Sequence, residues 1–344
     1  MELEKQELQE RIVAFTAGDG LKCNLINVTG TRPPTKGPVI LVHGAGVRAN
    51  IFRAPVTTTF VDFLVAEGYD VWLENWRASI DIPPNEWTLD QAALFDHPKA
   101  VAKVVEETGF EKVKAVIHCQ GSTSFMMSAL AGLVPQVDTI VSNAVSLHPV
   151  VPKWSWVKLT FVMPLVGMLT KYLNPQWDGS ADSFIGRFLY RLAKLTHREC
   201  DNSVCHQVSF YYGAGFPALW SHENINDETH EWLREEFAMV PITFYRQITR
   251  CVHHGSLIPY DHKDGSLDKL ADKPPQTTAR FALFAGEDNL CFLPDSQANT
   301  YDYLKKHRDT DTLHVLPGYG HLDMFMGENA ARDVFPLMVA ELEK

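Results

Sequence analysis

Val113-Lys-Ala-Val-Ile-His-Cys-Gln-Gly-Ser-Thr-Ser-Phe125 runs from an apolar strand pattern into an apolar helix pattern with no loop between them. A strand that turns directly into a helix exposes the residue at the turn, here Cys119. Such a turn needs small residues two places before and two places after its apex. Gly121 meets the second condition; Ile117 stands where glycine is usual. The rival nucleophile, Ser122, would have Gln120 and Ser124 at those places and would lie inside the helix. Cys119 is therefore the candidate nucleophile.

Outward from this junction the chain alternates strand and helix patterns. Val13–Phe15 and Cys23–Val28 flank Gly18-Asp-Gly20, a hairpin signal. Pro38-Val-Ile-Leu-Val42 is apolar throughout, as a strand buried on both faces should be, and ends in His43-Gly-Ala-Gly46. Helix patterns at 60–67 and 90–108 alternate with strand patterns at 69–73, 113–118 and 137–144. The rhythm stops near residue 148, where Trp, Phe, Tyr, Pro and Leu crowd into helical patterns. It resumes at Ala279-Arg-Phe-Ala-Leu-Phe-Ala285, followed by a helix at 295–307, a strand at 312–316 and a last helix near 330–343. The fold class is α/β: one mostly parallel sheet flanked by helices, with an inserted, mainly helical cap. The expected division is a core of residues 1–147 and 276–344, with the cap at 148–275.

A thiol at such a turn calls for a late histidine and, between the two in the chain, an acid. His321 follows the last strand in Gly318-Tyr-Gly-His321. The acid follows the preceding strand in Gly286-Glu-Asp-Asn289, and Asp288 is the choice there. An oxyanion hole needs two backbone N–H groups, assigned to Ala45 and Gln120. A helix N-terminus, a nearby histidine and partial exposure should all lower the thiol pKa. Each piece has a bland reading: Cys119 as a core cysteine, His321 as a loop residue, Asp288 as a turn former. Those readings weaken jointly, because four loops fall at strand ends in the required chain order.

The chain has 344 residues, 45% hydrophobic and 21% charged, with a formal charge of −11 (31 − 42). That balance disfavours nucleic acid as a partner. The charged N-terminal stretch Met1–Phe15 lacks the pattern of a secretory signal, and the apolar run 159–170 is too short for a bilayer. Six scattered cysteines do not form a disulfide framework. The expectation is reduced thiols and a cytoplasmic protein with no integral membrane segment; a homodimer is left open.

Val42-His-Gly-Ala-Gly, Asp70-Val-Trp-Leu-Glu-Asn-Trp-Arg77, His118-Cys-Gln-Gly121, Gly286-Glu-Asp288 and Gly320-His321 resemble the acid-lipase branch of the α/β hydrolases. A closer resemblance is to the cysteine-containing hydrolase domain fused to bacterial cholesterol-oxidase-type flavoproteins. It rests on 43–55, His118-Cys-x-Gly-Ser122, Cys200-x-Asn-x-x-Cys205 and Tyr319-Gly-His-Leu-Asp-x-Phe-x-Gly327. No GxGxxG follows the first strand, so no flavin or other cofactor is expected. The resemblance implies the α/β-hydrolase fold and acyl chemistry, and leaves Glu287 and Asp323 as alternatives to Asp288. Cysteine replaces the lipase serine, so lipase activity does not carry over.

The expected reaction is hydrolysis or acyl transfer on an ester, thioester or lactone of a hydrophobic acyl substrate. It runs through a Cys119–His321–Asp288 triad and a thioester intermediate. His43, Gly44, Gly46, His118 and Asn75 are the expected substrate-binding residues. The cap aromatics (Trp154, Trp156, Phe161, Phe184, Phe188, Tyr190, Phe210, Tyr211, Tyr212, Phe216, Trp220) suggest an apolar pocket, though most should simply pack the cap. His197, Cys200, Cys205 and His206 invite a zinc reading, but their spacing is not a usual finger pattern; no metal is expected. The competing reading is a non-catalytic ligand-binding or scaffold member of the fold.

Overall fold

The computed structural model describes residues 6–260 and 265–344. The first five residues of the charged N-terminal stretch, and 261–264 of the expected cap, lie outside the described residues. The described residues form ten strands: β1 (Gln9–Thr16), β2 (Lys22–Thr29), β3 (Pro38–Val42), β4 (Asp70–Asn75), β5 (Val113–His118), β6 (Val137–Asn143), β7 (Tyr172–Leu173), β8 (Val240–Pro241), β9 (Arg280–Gly286) and β10 (Thr312–Leu316). Eight of them make one sheet in the order β1-β2-β4-β3-β5-β6-β9-β10. β1, β2 and β4 pair antiparallel; every later pair is parallel. The central strands are apolar because helices cover both faces: Val39, Ile40, Leu41 and Val42 are fully buried, as are Ala115, Val116 and Ile117.

The first hairpin turns at Gly20, φ +94°, a conformation that glycine adopts without strain. The helix Phe60–Ala66 opens with a reciprocal capping box between Thr59 and Asp62. The expected helix 90–108 forms in pieces, Leu89–Gln91 and His97–Thr108, joined by a π-helical turn, Ala92–Asp96. That turn places Asp96 against the buried Arg77 guanidinium at the end of β4, with Nε and Nη2 contacts of 2.6–3.0 Å. The last helix also divides, into Ala330–Asp333 and Phe335–Leu342, ahead of Pro336.

Between β6 and β9 the chain leaves the sheet for a run of helices joined by loops, and the strands among its described residues are the two-residue pair β7/β8. Phe325 ties the His321 loop to the core: its ring meets Phe52 edge-on at 4.9 Å and Phe60 at 5.4 Å. Among the described residues no helix is long and apolar enough to cross a membrane.

Candidate active site

Cys119 is the first residue of the helix Cys119–Leu130 and directly follows β5. Its φ of +56° lies in the left-handed region, which costs a non-glycine residue roughly 1–2 kcal/mol. The turn holds because its neighbours are small. A Cβ on Gly121 would stand 2.1 Å from the His43 carbonyl oxygen, and one on Gly44 would stand 2.9 Å from the Cys119 Cβ. Ile117 is accommodated as a fully buried core side chain of β5. Ser122 is buried in the helix, sharing a hydrogen bond with Ser142 at 2.5 Å, and takes no part in the site.

Burial pushes the Cys119 thiol up to about 12, against the pull of the Gln120 and Ala45 N–H groups that hydrogen-bond its sulfur. The expectation of a lowered thiol pKa therefore fails, because desolvation of a thiolate outweighs two hydrogen bonds to it. Those N–H groups belong to the two residues expected to form the oxyanion pair.

His321 stands across from the thiol. One donor atom each of His118, Cys119 and His321 lie within 4.8 Å of one another. Burial holds the His321 imidazole down at about 3, so the resting pair is neutral thiol and neutral imidazole. His118 packs its ring 4.7 Å from that of His321, and Asn143 Nδ2 reaches both His118 Nδ1 (3.0 Å) and the His321 carbonyl (3.3 Å).

The residue on His321 Nδ1 is Asn289, not Asp288. Asn289 is buried, and its Nδ2 lies 3.0 Å from Nδ1 while its Oδ1 accepts the Cys291 N–H at 3.0 Å. Asp288 and Glu287 point to solvent, because their backbone N–H groups are tied to the Tyr319 and Leu316 carbonyls. Asp323 is fully buried, yet it serves backbone rather than imidazole. Its carboxylate accepts from Gly320 N (2.7 Å), Ser221 N (3.1 Å) and Asn224 Nδ2 (2.7 Å), and burial raises its pKa to about 6. The Leu219 carbonyl accepts the N–H groups of His321 and Leu322. Segment 219–224, far from His321 in sequence, thus clamps the histidine loop at several points.

The pocket above the thiol is lined by Gly44, Ala45, His118, Cys119, Gln120 and His321 from the core. Val166, Leu189, Phe210, Tyr211, Tyr212 and Phe237 from the inserted segment line it too, with Cys291 and Phe292. Of the aromatics expected there, Phe210, Tyr211 and Tyr212 are in place. Trp154, Phe161, Phe184, Phe188 and Phe216 are instead at least half exposed.

Three expected substrate-binding residues are outside this lining. His43 is buried with Nδ1 on the Gly44 carbonyl. Asn75 braces the loop after β3 by accepting from Ala49 N and Ser79 Oγ. Gly46, φ +70°, leaves room for Val240 and Tyr212, which a Cβ would approach to 2.4 and 2.6 Å. A second histidine chain, Glu74–His97–Ser124, is hydrogen-bonded at 2.9 and 2.8 Å but fully buried in the core. It meets no pocket wall and reads as structural.

The chain is similar to several known proteins. The human protein "Lipase member K" is 21% identical over 335 residues, covering 91% of this chain and 81% of its own length. "Lipase lipl-1" of Caenorhabditis elegans is 24% identical, covering 89% and 80%. The solved structure of a thermophilic esterase from Thermogutta terrifontis superposes with a TM-score of 0.58 at 14% identity, covering 97% of this chain and 98% of that one. The family model described as "alpha/beta hydrolase fold" matches residues 37–328. This chain belongs to the alpha/beta hydrolase fold family.

Proposed function

We propose that the chain is an acyl-transfer enzyme, a hydrolase or acyltransferase of hydrophobic esters, thioesters or lactones, with Cys119 as nucleophile. One observation carries the reading: two backbone N–H groups converge on a thiol held at a left-handed turn, at the floor of an apolar pocket. When an acyl carbon meets the sulfur, its oxygen replaces sulfur as the acceptor of those N–H groups, and developing charge is stabilised there. The thiol proton passes to His321 and then to the leaving group. The resulting thioester passes its acyl group to water or to another acceptor.

In this reading the third member is Asn289. Its Oδ1 is fixed by the Cys291 N–H, so its amide nitrogen faces His321 Nδ1. A neutral imidazole that accepts at Nδ1 carries its proton at Nε2. To act as base, His321 needs the other tautomer, which Asn289 could meet only by giving up the Cys291 N–H and turning its oxygen to Nδ1. The resting state is thus a closed, neutral form that substrate must activate. Relatives named as lipases and an esterase of the same fold support ester substrates. The thiol favours substrates with good leaving groups, because thiolate is itself expelled readily. The apolar walls, Val166, Leu189, Phe210 and Tyr211 among them, support a hydrophobic acyl or polycyclic ligand for a pocket roofed by the 148–275 cap. Six free thiols support a reducing compartment.

The non-catalytic reading draws on one fact, that no carboxylate among the described residues touches His321. Incubation with an activated acyl ester, followed by intact-mass analysis, separates the two. A single acyl adduct lost in Cys119→Ala supports the proposal. An adduct that survives Cys119→Ala, or none at any chain length, overturns it.

A further inference from the structure

A second cluster of nucleophilic and metal-binding side chains lies in the inserted segment. One ligand atom each of Cys200, Cys205, His222 and His230 lie within 4.8 Å of one another. Cys205 Sγ stands 3.5 Å from His222 Nε2. Around tetrahedral zinc, with bonds of about 2.0–2.3 Å, ligand atoms are separated by roughly 3.3–3.8 Å. The four atoms are thus nearly in place. His197 and His206, the histidines adjacent in sequence, are not in the cluster. His206 Nε2 is taken by the Cys200 carbonyl at 2.6 Å, and His197 Nδ1 pairs with Thr196.

Three further observations point to a metal. His230 Nε2 is buried without a hydrogen-bond partner, a costly state for a ring nitrogen unless something binds it. The support around the donors is built. Asn202 Oδ1 accepts the Val204 and Cys205 N–H groups, while its Nδ2 donates to the His230 carbonyl at 2.6 Å, locking the cysteine turn to the histidine helix. The donors are two sulfurs and two imidazoles, a set that selects zinc among the common divalent ions. A Cys200–Cys205 disulfide would use neither histidine.

We propose that Cys200, Cys205, His222 and His230 form a structural zinc site that fixes the segment clamping the His321 loop. Binding releases the two thiol protons to solvent, and each imidazole coordinates through a neutral nitrogen. The expected absence of a metal, made on the wrong histidines, is replaced by this assignment. His222 follows by one residue Ser221, whose N–H reaches Asp323, and by three Leu219, whose carbonyl holds His321. The site therefore anchors segment 219–224, whatever chemistry Cys119 performs.

The test is metal analysis of the full chain purified under reducing conditions from zinc-supplemented cells. About one zinc per chain is expected, with chelation lowering Tm by roughly 5–10 °C and zinc restoring it. Cobalt(II) added to the stripped protein should give a sulfur-to-cobalt charge-transfer band. Cys205→Ser and His230→Gln should lose zinc and that band, while His197→Gln keeps both. Substoichiometric zinc with no cobalt band in wild-type protein overturns the proposal. So does a Cys200–Cys205 disulfide that persists through reduction.

Discussion

Replacing Asn289 by aspartate puts a carboxylate oxygen about where the amide nitrogen now stands, 3.0 Å from His321 Nδ1. The Cys291 N–H still has an oxygen to donate to. A negative charge about 4 Å from the imidazolium centre is worth roughly 4 kcal/mol at an effective dielectric of about 20. At about 1.36 kcal/mol per unit this is about 3 pKa units. His321 would then rise from about 3 to about 6. Its proton would move to Nδ1, leaving Nε2 free to take the thiol proton. The thiolate–imidazolium pair gains the same amount relative to the neutral pair, so Cys119 should react roughly 10²–10³ times faster at pH 7. In serine triads the opposite change, aspartate to asparagine, costs about 10⁴ in kcat through the wrong tautomer. The assay is the second-order rate of Cys119 alkylation by iodoacetamide from pH 5 to 10, with the acyl-ester adduct measured in parallel. Wild type should be slow below pH 8, whereas Asn289→Asp should approach a plateau near pH 7. The gain should vanish in Asn289→Asp/His321→Gln. A folded Asn289→Asp protein whose rate stays within about threefold of wild type would refute the claim that residue 289 acts on the thiol through His321.

Gly121→Ala drives a Cβ to 2.1 Å from the His43 carbonyl, and should cost about 3 kcal/mol or more, measured by urea unfolding. Asp323→Asn turns an amide NH₂ toward donors that now meet a carboxylate. It should lower stability by roughly 2–3 kcal/mol and slow Cys119 acylation as the His321 loop loosens. His321 sits at about 3 against its ordinary 6.5, so unfolding takes up a proton between those values. The stability it contributes is full above pH 6.5 and falls as pH drops, by up to roughly 1.4 kcal/mol per unit. His321→Gln should flatten the stability profile over that window, read by denaturant titration at several pH values. Val166→Trp fills the pocket wall and should cut activity on the longest acyl chain roughly tenfold more than on the shortest.

The sheet was legible because its central strands are buried on both faces and therefore written in mostly apolar runs: Pro38–Val42, Val113–His118 and Arg280–Gly286 match their patterns within a residue or two. The placing of Cys119 and His321 close together was legible from chain order and the turn. The partner of His321 Nδ1 was missed by one position. The loop Gly286–Asn289 has no period to show which side chain turns inward; the backbone bonds of Glu287 and Asp288 to the neighbouring loop decide it. The raised thiol pKa was hidden for a different reason. The walls that desolvate Cys119 include Tyr212 and Phe237, distant in sequence. The cysteine pair was visible in Cys200-x₄-Cys205, but His222 and His230 come from beyond the helix Ser203–Tyr212, and only folding brings them alongside.

The clamp at Leu219, Ser221 and Asn224 bears on how a new substrate range could be engineered. Trading the whole insertion for one from another hydrolase would remove the carbonyl and amide groups that hold His321, and the histidine would lose its seat along with the old pocket. The portable part is the stretch before Cys200, which carries Val166 and Leu189. A chimera joined between Thr196 and Cys200 would change those walls and keep the floor together with the cysteines that anchor the clamp.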